Sequence, residues 1–458
     1  MRLLPTSLCW LALQVGGAVP FATAQEIPSD SAIQAILRER LAPTPTMGIV
    51  VGVLDRNGRR VVAHGSSGTT RPLDGKSVFE IGSITKVFTA SLLALMVMSG
   101  EAALEDPVAS YLPAGVTVPS RNGVSITLLH LATQSSGLPR LPSNFSPRDA
   151  GNPYADYTVE QMYEFLSEYT LTRDPGAQYE YSNLGMGLLG HALAARAGVS
   201  YEQLLSDRLL APLGMSDTRI SLTPDLRARL AIGHNQGGEP VPNWDIPALA
   251  GAGALRSTVD DMLTFLAANL REDVTEVSPA LMLTHGERIQ TGQPGMTVGL
   301  GWHRRTTSTG GVTIWHNGGT GGYRTFAGFD PDRQVAVVVL HNSARSADDI
   351  GFHILDPRFP LAAPPVVHTE VAVDSTVLED YVGVYELAPE FTLTVTREGA
   401  RLFVQATGQP RFPVFPESET EFFYKVVDAQ ISFERDAAGV VRGLVLHQGG
   451  RDLPARKR

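Results

Sequence analysis

A serine followed three residues later by a lysine, directly before a long apolar run, is the feature that most constrains this chain. Ser83 and Lys86 precede the run from Val87 to Met98, and Gly100 follows it. The apolar residues recur at helical spacing, and the glycine is a stop signal, so we predict a buried helix that begins near Ser83. Because residues three apart share one face of a helix, the hydroxyl and the amine are expected to meet.

This pair has a chemical interpretation and a structural one. A serine hydroxyl becomes a good nucleophile when a neighbouring base takes its proton, and a lysine can do so when burial or nearby charge lowers its pKa. The N–H groups at a helix start would then stabilise an oxyanion. Alternatively, Ser83 caps the helix and Lys86 is solvated. The chain has few lysines (76, 86, 425 and 457), and the motif still arises by chance in roughly one such sequence in four.

Two further segments carry groups suited to the same chemistry. Tyr181 and Asn183 follow a Pro-Gly turn and can point into one cleft. If Lys86 lowers the pKa of Tyr181, the phenol can relay the serine proton, while Asn183 can bind a substrate amide. The segment from His316 to Tyr323 is rich in glycine, which lets backbone approach a ligand. We expect an N–H group of this edge strand to complete an oxyanion site with that of Ser83.

The order of helix and strand patterns predicts a mixed fold. A helical pattern over residues 30–42 precedes two strands joined at Asn57-Gly58, which is a strong hairpin signal. Helical patterns dominate residues 101–260, and three strand patterns follow between 311 and 340. Both ends of this part of the chain are therefore expected to build one sheet, with a helical region inserted between them.

Composition along the chain predicts two folded domains. We assign residues 25–355 to a catalytic domain and the proline-rich residues 356–372 to a linker. Short alternating runs over residues 373–458 indicate a small antiparallel β domain. We expect its basic end, residues 456–458, to be a frayed tail.

The N-terminal residues 1–24 are typical of a secretory signal. Arg2 precedes an apolar segment from Leu8 to Phe21, and small residues follow at a suitable cleavage position. The only cysteine of the chain, Cys9, falls inside this segment, so we expect a mature protein without disulfides. No later stretch has the roughly 20 apolar residues that span a bilayer. The predicted location is the periplasm or the extracellular space.

Charge and histidine spacing argue against several classes of function. The net charge of −10 and the pI of about 5.6 disfavour binding to nucleic acid and to anionic membranes. The eleven histidines are scattered, without a His-Glu-x-x-His motif, which disfavours a zinc hydrolase. We therefore expect no metal and no other cofactor, and a small molecule or a peptide as substrate. The sequence leaves the oligomeric state open.

At these motifs the chain resembles the penicillin-recognising serine hydrolases, which include class C β-lactamases, DD-peptidases, D-aminopeptidases and related esterases. Residues 83–86 match the Ser-x-x-Lys motif, residues 181–183 match Tyr-x-Asn, and residues 316–318 stand where class C β-lactamases have Lys-Thr-Gly. Residues 79–82 are similar to the segment that precedes the serine in that family. The resemblance covers about residues 30–345, and three motifs in register are far more specific than one.

The resemblance implies an acyl-enzyme mechanism and a fold. Ser83 would attack a carbonyl group while Lys86 and Tyr181 manage the proton. Asn183 would orient the substrate, and the N–H groups of Ser83 and Gly319 would bind the oxyanion. Water would then release the acyl group, with Tyr181 as the base. The implied α+β fold is an antiparallel sheet flanked by helices beside an all-helical subdomain, with the site in the cleft between them.

Two positions depart from the class C pattern. His316 replaces the strand lysine, and Asn317 replaces the threonine that follows. A lysine is a fixed cation for a substrate carboxylate, whereas a histidine is mostly neutral at pH 7. Both residues, together with Gly318 and Gly319, are assigned to substrate binding. The histidine is similar to the pattern of D-aminopeptidase-like and esterase-like relatives, and it weakens the expectation for carboxylated β-lactams.

The candidate functions are ranked by these similarities. Hydrolysis of β-lactams comes first, because the connecting segments look closest to class C β-lactamases. A D-amino-acid peptidase, a DD-carboxypeptidase or a small-ester carboxylesterase comes next, because of His316. The non-enzymatic alternative is a penicillin-binding protein that is acylated without turnover, and prompt acylation without deacylation would identify it.

Overall fold

The computed structural model describes most of the chain, with short gaps. The described residues are 26–270, 275–308, 310–364, 366, 368–409, 411–427, 429–448 and 451–458. The secretory signal predicted over residues 1–24 lies outside them. In the described part of the chain, no helix has the length and the apolar composition needed to cross a membrane.

Capping side chains set where several helices begin. The hydroxyls of Thr127, Thr158 and Ser182 each accept a hydrogen bond from a backbone N–H three residues later. In chain order, the helices of the described residues are α1 Asp30–Leu41, α2 Thr85–Met98, α3 Leu128–Ala132, α4 Val159–Glu168, α5 Asn183–Ala197, α6 Tyr201–Leu205, α7 Ala211–Leu213, α8 Pro224–Arg229, α9 Ala250–Gly253, α10 Val259–Leu270, α11 Ser278–Leu283, α12 Asp348–Leu355 and α13 Ser375–Asp380. Most of them lie in the predicted helical region.

An antiparallel sheet forms the centre of the larger part of the protein. The strands before residue 342 in the described residues are β1 Gly48–Asp55, β2 Gly58–Gly65, β3 Phe79–Glu80, β4 Ser120–Arg121, β5 Val124–Ser125, β6 Arg256–Ser257, β7 Ile289–Gln290, β8 Met296–Val298, β9 His303–Thr306, β10 Val312–Gly319, β11 Arg324–Asp330 and β12 Val335–His341. β3 pairs with β6 and β4 with β5, while the others form one sheet in the order β2-β1-β12-β11-β10-β9-β8-β7. Both ends of this part of the chain build the sheet, as predicted.

Apolar side chains cover both faces of this sheet. Along β1, Val50 belongs to the core that α2 and α10 complete, whereas Val51 belongs to the core that α1 and α12 complete. β1 and β12 are buried along their whole length, which explains their continuous apolar sequence. The helical region packs into the first of these cores. The architecture is therefore the α+β fold predicted from the sequence.

A short ladder and an ion pair hold the segment that precedes Ser83. The buried carboxylate of Glu80 in β3 accepts a hydrogen bond from Arg256 of β6 at 3.1 Å. Residues Gly82–Ile84 then form a 3-10 turn that leads into α2. Ser83 thus lies just before the helix, not in its first turn. Gly82 has a φ of +51°, so the chain turns there in a conformation that favours glycine.

The strand that carries His316 lies inside the sheet, which corrects the expectation of an edge strand. β11 pairs with β10 from Ile314 to Gly319, and β9 pairs with it on the other side only as far as Trp315. The sequence pattern missed β7, β8 and β9 because they are short and mostly polar. In the described residues, the half of β10 from His316 to Gly319 is therefore free of a neighbouring strand on one side.

The C-terminal part of the chain forms a closed antiparallel barrel. Its strands among the described residues are β13 Gly383–Ala388, β14 Phe391–Glu398, β15 Arg401–Ala406, β16 Arg411–Pro416, β17 Glu421–Phe423, β18 Ala429–Arg435, β19 Val441–Gln448 and β20 Arg451–Lys457. Large side chains such as Tyr385, Phe422 and Phe433 fill the interior. The barrel is therefore a packed domain with its own core.

The last strand corrects the expectation of a frayed basic tail. Lys457 pairs with Tyr385 of β13, and Ala455 pairs with Leu444 of β19. Charged residues and Pro454 give this segment no apolar strand pattern. It is a strand because β13 and β19 each leave an unpaired edge that it closes.

Removal of residues 451–458 is expected to open the barrel. The deletion removes six paired positions with β19 and two with β13, so the barrel should lose at least about 2 kcal/mol of stability. Amide hydrogen exchange measures this loss strand by strand. A control substitution Arg458→Ala keeps the hydrogen bond from the backbone N–H of residue 458 to Val384 of β13, so it should leave the exchange rates of β13 and β19 unchanged. Equal protection in both variants would mean that β20 does not hold the barrel closed.

Candidate active site

The Ser83 hydroxyl and the Lys86 amine meet, as their spacing predicts. Ser83 Oγ lies 2.9 Å from Lys86 Nζ, and Nζ donates a hydrogen bond to the carbonyl oxygen of Ala252 at 2.6 Å. Ala252 belongs to α9, which packs against α2. The carbonyl anchors one hydrogen of the amine, so that the amine stays within reach of the serine.

Burial determines the charge of Lys86. Its side chain is fully buried. Desolvation, together with the nearby charge of Arg140, holds the pKa of Lys86 well below its ordinary value. An uncharged amine has a free electron pair and can accept the proton of Ser83.

Tyr181 lies over the same two groups. Lys86 Nζ is 4.8 Å from the centre of the Tyr181 ring. Burial raises the pKa of Tyr181, and the hydrogen bond with Ser83 opposes this rise only in part. The sequence predicted that Lys86 lowers the pKa of Tyr181. The pKa is raised instead, because burial favours the uncharged form of Lys86 and an uncharged amine does not stabilise a phenolate. The Tyr181 hydroxyl therefore keeps its proton and is suited to donate it.

Helix α5 presents Asn183 as its first residue. The preceding Ser182 caps the helix, and the amide nitrogen of Asn183 donates a hydrogen bond to the hydroxyl of Tyr154 at 3.0 Å. The amide oxygen Oδ1 is buried and has no partner in the described residues. A buried acceptor without a partner is costly, and a substrate N–H group would satisfy it.

Close backbone packing brings β10 against the serine turn. A side chain at Gly318 would meet the carbonyl oxygen of Ile81 at 1.9 Å, and one at Gly82 would meet the backbone nitrogen of Gly319 at 2.7 Å. These approaches require residues without a Cβ atom. The backbone N–H groups of Ser83 and Gly319 therefore belong to adjoining segments, as an oxyanion site requires.

His316 lies beneath the site and does not line the cleft. Its ring centre is 6.3 Å from that of Tyr181 and 4.9 Å from that of His303. Burial, followed by the influence of His303 and Lys86, holds the pKa of His316 well below its ordinary value. Its Nδ1 lies 2.6 Å from the carbonyl oxygen of Asn317, so we assign the proton of the neutral ring to Nδ1. His316 therefore supplies no positive charge.

Asn317 lines the cleft but is held by another residue. Its amide nitrogen donates a hydrogen bond to Asp348 of α12 at 2.6 Å. Burial raises the pKa of Asp348 to about 6, while the hydrogen bond from Asn317 and the charge of Arg324 oppose this rise. The amide of Asn317 is thus committed to a neighbouring carboxylate.

The predicted residues gather around one cleft of about 540 Å³. Those that line it are Ser83, Tyr181, Asn183, Asn317, Gly318 and Gly319. Lys86 and His316 are buried behind this wall. The structure therefore brings all three sequence motifs together, with the amine and the imidazole beneath the surface.

Several residues of the cleft were not predicted from the sequence. Arg140, Tyr154 and Arg324 line it, and Trp244, which the sequence left undecided between packing and cleft wall, lies 5.4 Å from Tyr154 between ring centres. No local signal marks the first two, whereas Arg324 directly follows the glycine-rich segment. In the described residues, no group of His, Cys, Asp and Glu side chains is arranged to hold a metal ion.

Two family models match the chain. One, described as Beta-lactamase, matches residues 33–353, and another, described as a domain of unknown function (DUF3471), matches residues 368–456. The chain is similar to the D-alanyl-D-alanine-carboxypeptidase/endopeptidase AmpH of Escherichia coli strain K12, with 33% identity over an alignment of 317 positions that covers 64% of this chain and 78% of the relative. It is also similar to Penicillin-binding protein 4* of Bacillus subtilis strain 168, with 27% identity over an alignment of 435 positions that covers 88% of this chain and 94% of the relative.

The fold is also similar to a solved structure. The β-lactamase/D-alanine carboxypeptidase from Yersinia pestis superposes with a TM-score of 0.60 and 28% sequence identity, over 69% of this chain and 93% of that one. This similarity confirms the fold predicted from the sequence, and the family match confirms the resemblance on which the site residues were chosen.

Replacement of Lys86 by methionine is expected to change how stability depends on pH. The unfolded chain binds a proton at Lys86 up to about pH 10.5, whereas the folded protein, in which the pKa of Lys86 is lowered, releases that proton at a lower pH. Stability of the unmodified protein should therefore rise relative to Lys86→Met as the pH increases towards about 10.5, with a slope of at most about 1.4 kcal/mol per pH unit. Urea unfolding at several pH values measures this slope, and parallel curves would mean that Lys86 is charged in the folded protein.

An alanine at Gly318 is expected to separate β10 from the serine turn. The added methyl group would meet backbone at Ile81, so we predict at least a 100-fold loss of Ser83-dependent activity. Gly286→Ala is the matched control, because its Cβ would have no atom within 4 Å. Activity assays and thermal unfolding of both variants test this. A Gly318→Ala variant that works normally would contradict the packing described here.

Proposed function

Because the chain belongs to the beta-lactamase family of serine hydrolases, we propose that Ser83 is its nucleophile and that the reaction passes through an acyl-enzyme. The observation that carries this proposal is the 2.9 Å contact between Ser83 Oγ and the buried amine of Lys86. An uncharged lysine beside a serine is an activated nucleophile. The alternative of a capping serine with a solvated lysine does not fit, because the amine of Lys86 is fully buried and no side chain caps the start of α2.

The charge state of each group suggests the path of the proton. Lys86 takes the proton of Ser83 as Oγ bonds to the substrate carbonyl carbon. Tyr181, which burial keeps protonated, gives its proton to the leaving atom and regains one from Lys86. Water then attacks the acyl-enzyme, and its proton returns to Ser83 Oγ through the same two groups. The net reaction is acyl transfer to water.

The remaining site residues bind and orient the substrate in this proposal. The N–H groups of Ser83 and Gly319 stabilise the oxyanion that forms at the attacked carbonyl. The unpaired Oδ1 of Asn183 accepts a hydrogen bond from an amide N–H of the substrate. Gly318 contributes by its missing side chain, which lets the strand approach the serine turn.

We propose β-lactams as the first substrate class. The Ser-x-x-Lys and Tyr-x-Asn residues resemble those of class C β-lactamases, and they lie in one cleft. The second candidate is a D-alanyl peptide, with DD-carboxypeptidase activity. The name of AmpH supports it, as does His316, which is similar to the pattern of D-aminopeptidase-like relatives. A small ester is the third candidate, because it needs no cation in the cleft.

The non-enzymatic candidate is a penicillin-binding protein that is acylated without turnover. The name of the Bacillus subtilis relative supports this alternative. It predicts a stable adduct on Ser83 and no product release, whereas an enzyme releases product continuously.

We also propose that the protein is exported and divided as the sequence predicts. Residues 1–24 would be removed, residues 25–355 would form the catalytic domain, residues 356–372 the linker and residues 373–458 the β domain. The limits of the two family matches, 33–353 and 368–456, support this division. The mature protein would then work in the periplasm or outside the cell.

A comparison of three substrates tests the proposed function. The purified mature chain is given a chromogenic cephalosporin, a D-alanyl-D-alanine peptide and a short-chain aryl ester, each beside a Ser83→Ala control. We expect continuous turnover of at least one substrate, and a loss of about 10³-fold or more in the control. Mass spectrometry of the quenched reaction detects the acyl group on Ser83. Turnover that survives in Ser83→Ala would contradict the proposal.

A further inference from the structure

One positively charged side chain in the cleft, that of Arg324, forms no ion pair with a carboxylate of the described residues. Arg324, the first residue of β11, lines the cleft. Its Nη1 donates hydrogen bonds to the carbonyl oxygens of Thr320 and Tyr323 at 2.7 and 2.8 Å. In the part of the chain that the structure describes, Nε and Nη2 make no hydrogen bond and no ion pair. Three of the five guanidinium N–H groups are therefore available.

The surroundings of Arg324 favour a bound anion. Burial lowers the pKa of Arg324, and the charge of Asp348 offsets this only in part. Asp348 itself accepts a hydrogen bond from Asn317 and has a pKa raised to about 6 by burial. A partly buried cation without an ion pair is costly, and an anionic ligand would compensate it.

Arg324 lies beside the reacting centre. It pairs with Gly319 across β10 and β11, and a Cβ atom at Gly319 would be 2.9 Å from Nη1 of Arg324. The guanidinium therefore occupies the space that a side chain at residue 319 would fill. Gly319 is also the proposed second donor to the oxyanion, so an anion on Arg324 would sit next to the scissile bond.

Among the described residues that line the cleft, the positively charged side chains are those of Arg140 and Arg324. His316 is buried and neutral, and the amide of Asn317 is held by Asp348. Arg140 is exposed, with its guanidinium 5.0 Å from the centre of the Tyr181 ring. It lies next to the Tyr-x-Asn motif, since its carbonyl oxygen accepts a hydrogen bond from the backbone N–H of Asn183.

We propose that Arg324 binds a carboxylate that the substrate carries close to the scissile bond, and that it thereby selects anionic acyl donors over neutral ones. The free Nε and Nη2 groups form a fork that matches the two oxygens of a carboxylate. In this arrangement the cation for the substrate is on β11, whereas residue 316 on β10 is neutral. The inference rests on the proposed function, since it names the substrate class of the same site.

Paired substrates test this inference. One pair is a D-alanyl-D-alanine peptide with a free carboxylate and its C-terminal amide, another is a chromogenic cephalosporin and its methyl ester, and the aryl ester serves as a neutral reference. We expect Arg324→Gln to lower kcat/KM for the free acids by about 10- to 100-fold, mainly by raising KM. For the neutral substrates, kcat/KM should change less than about threefold. Arg324→Lys should recover part of the loss.

The matched control is Arg305→Gln. It removes the same charge from the same sheet, but the Arg305 guanidinium stacks on Phe352 and Phe359 and does not line the cleft. If Arg324→Gln lowers kcat/KM equally for acids and neutral substrates, Arg324 only shapes its turn, and the inference is overturned. Turnover that still depends on Ser83 would uphold the proposed function in that case. Absence of Ser83-dependent acylation and turnover with every substrate would overturn both.

Discussion

The contact between two glycine-containing backbones is the constraint on which this structure depends. The turn before Ser83 and the end of β10 approach so closely that neither Gly82 nor Gly318 has room for a side chain. This contact joins the start of the buried helix α2 to the central sheet. It places the serine hydroxyl, the amine beneath it and the backbone of Gly319 around one small volume, and the helical region then closes the cleft with Tyr181.

Burial of this volume gives the site an unusual distribution of charge. In water Lys86 would be a cation and His316 would become one below about pH 6.5, yet desolvation favours the neutral form of both. Tyr181 keeps its proton for the same reason. The groups nearest the serine are therefore neutral, and proton transfer among them does not require separated charges to persist. The positive charge lies at the walls of the cleft, on Arg140 and Arg324.

Prediction from the sequence succeeded where the signal was local. The apolar spacing after Lys86 gave the buried helix, and Asn57-Gly58 gave the first hairpin. It failed where pairing with distant strands decided the outcome. β9 and β20 have polar sequences and became strands because a neighbouring edge was available. Trp244 and Arg324 lie in the cleft for a similar reason, since Trp244 packs near Tyr154 from another part of the chain and Arg324 pairs with Gly319 of the neighbouring strand.

The sequence alone determined the fold class, the buried helix that follows Ser83 and the three motifs that meet at the cleft. These depend on periodicity and on residue identity, which are properties of short segments. The tertiary structure decided the protonation of Lys86, Tyr181 and His316 and the position of the Arg324 guanidinium in the cleft. Those properties depend on how much water and which charges surround a group, and only the packing of distant segments sets these.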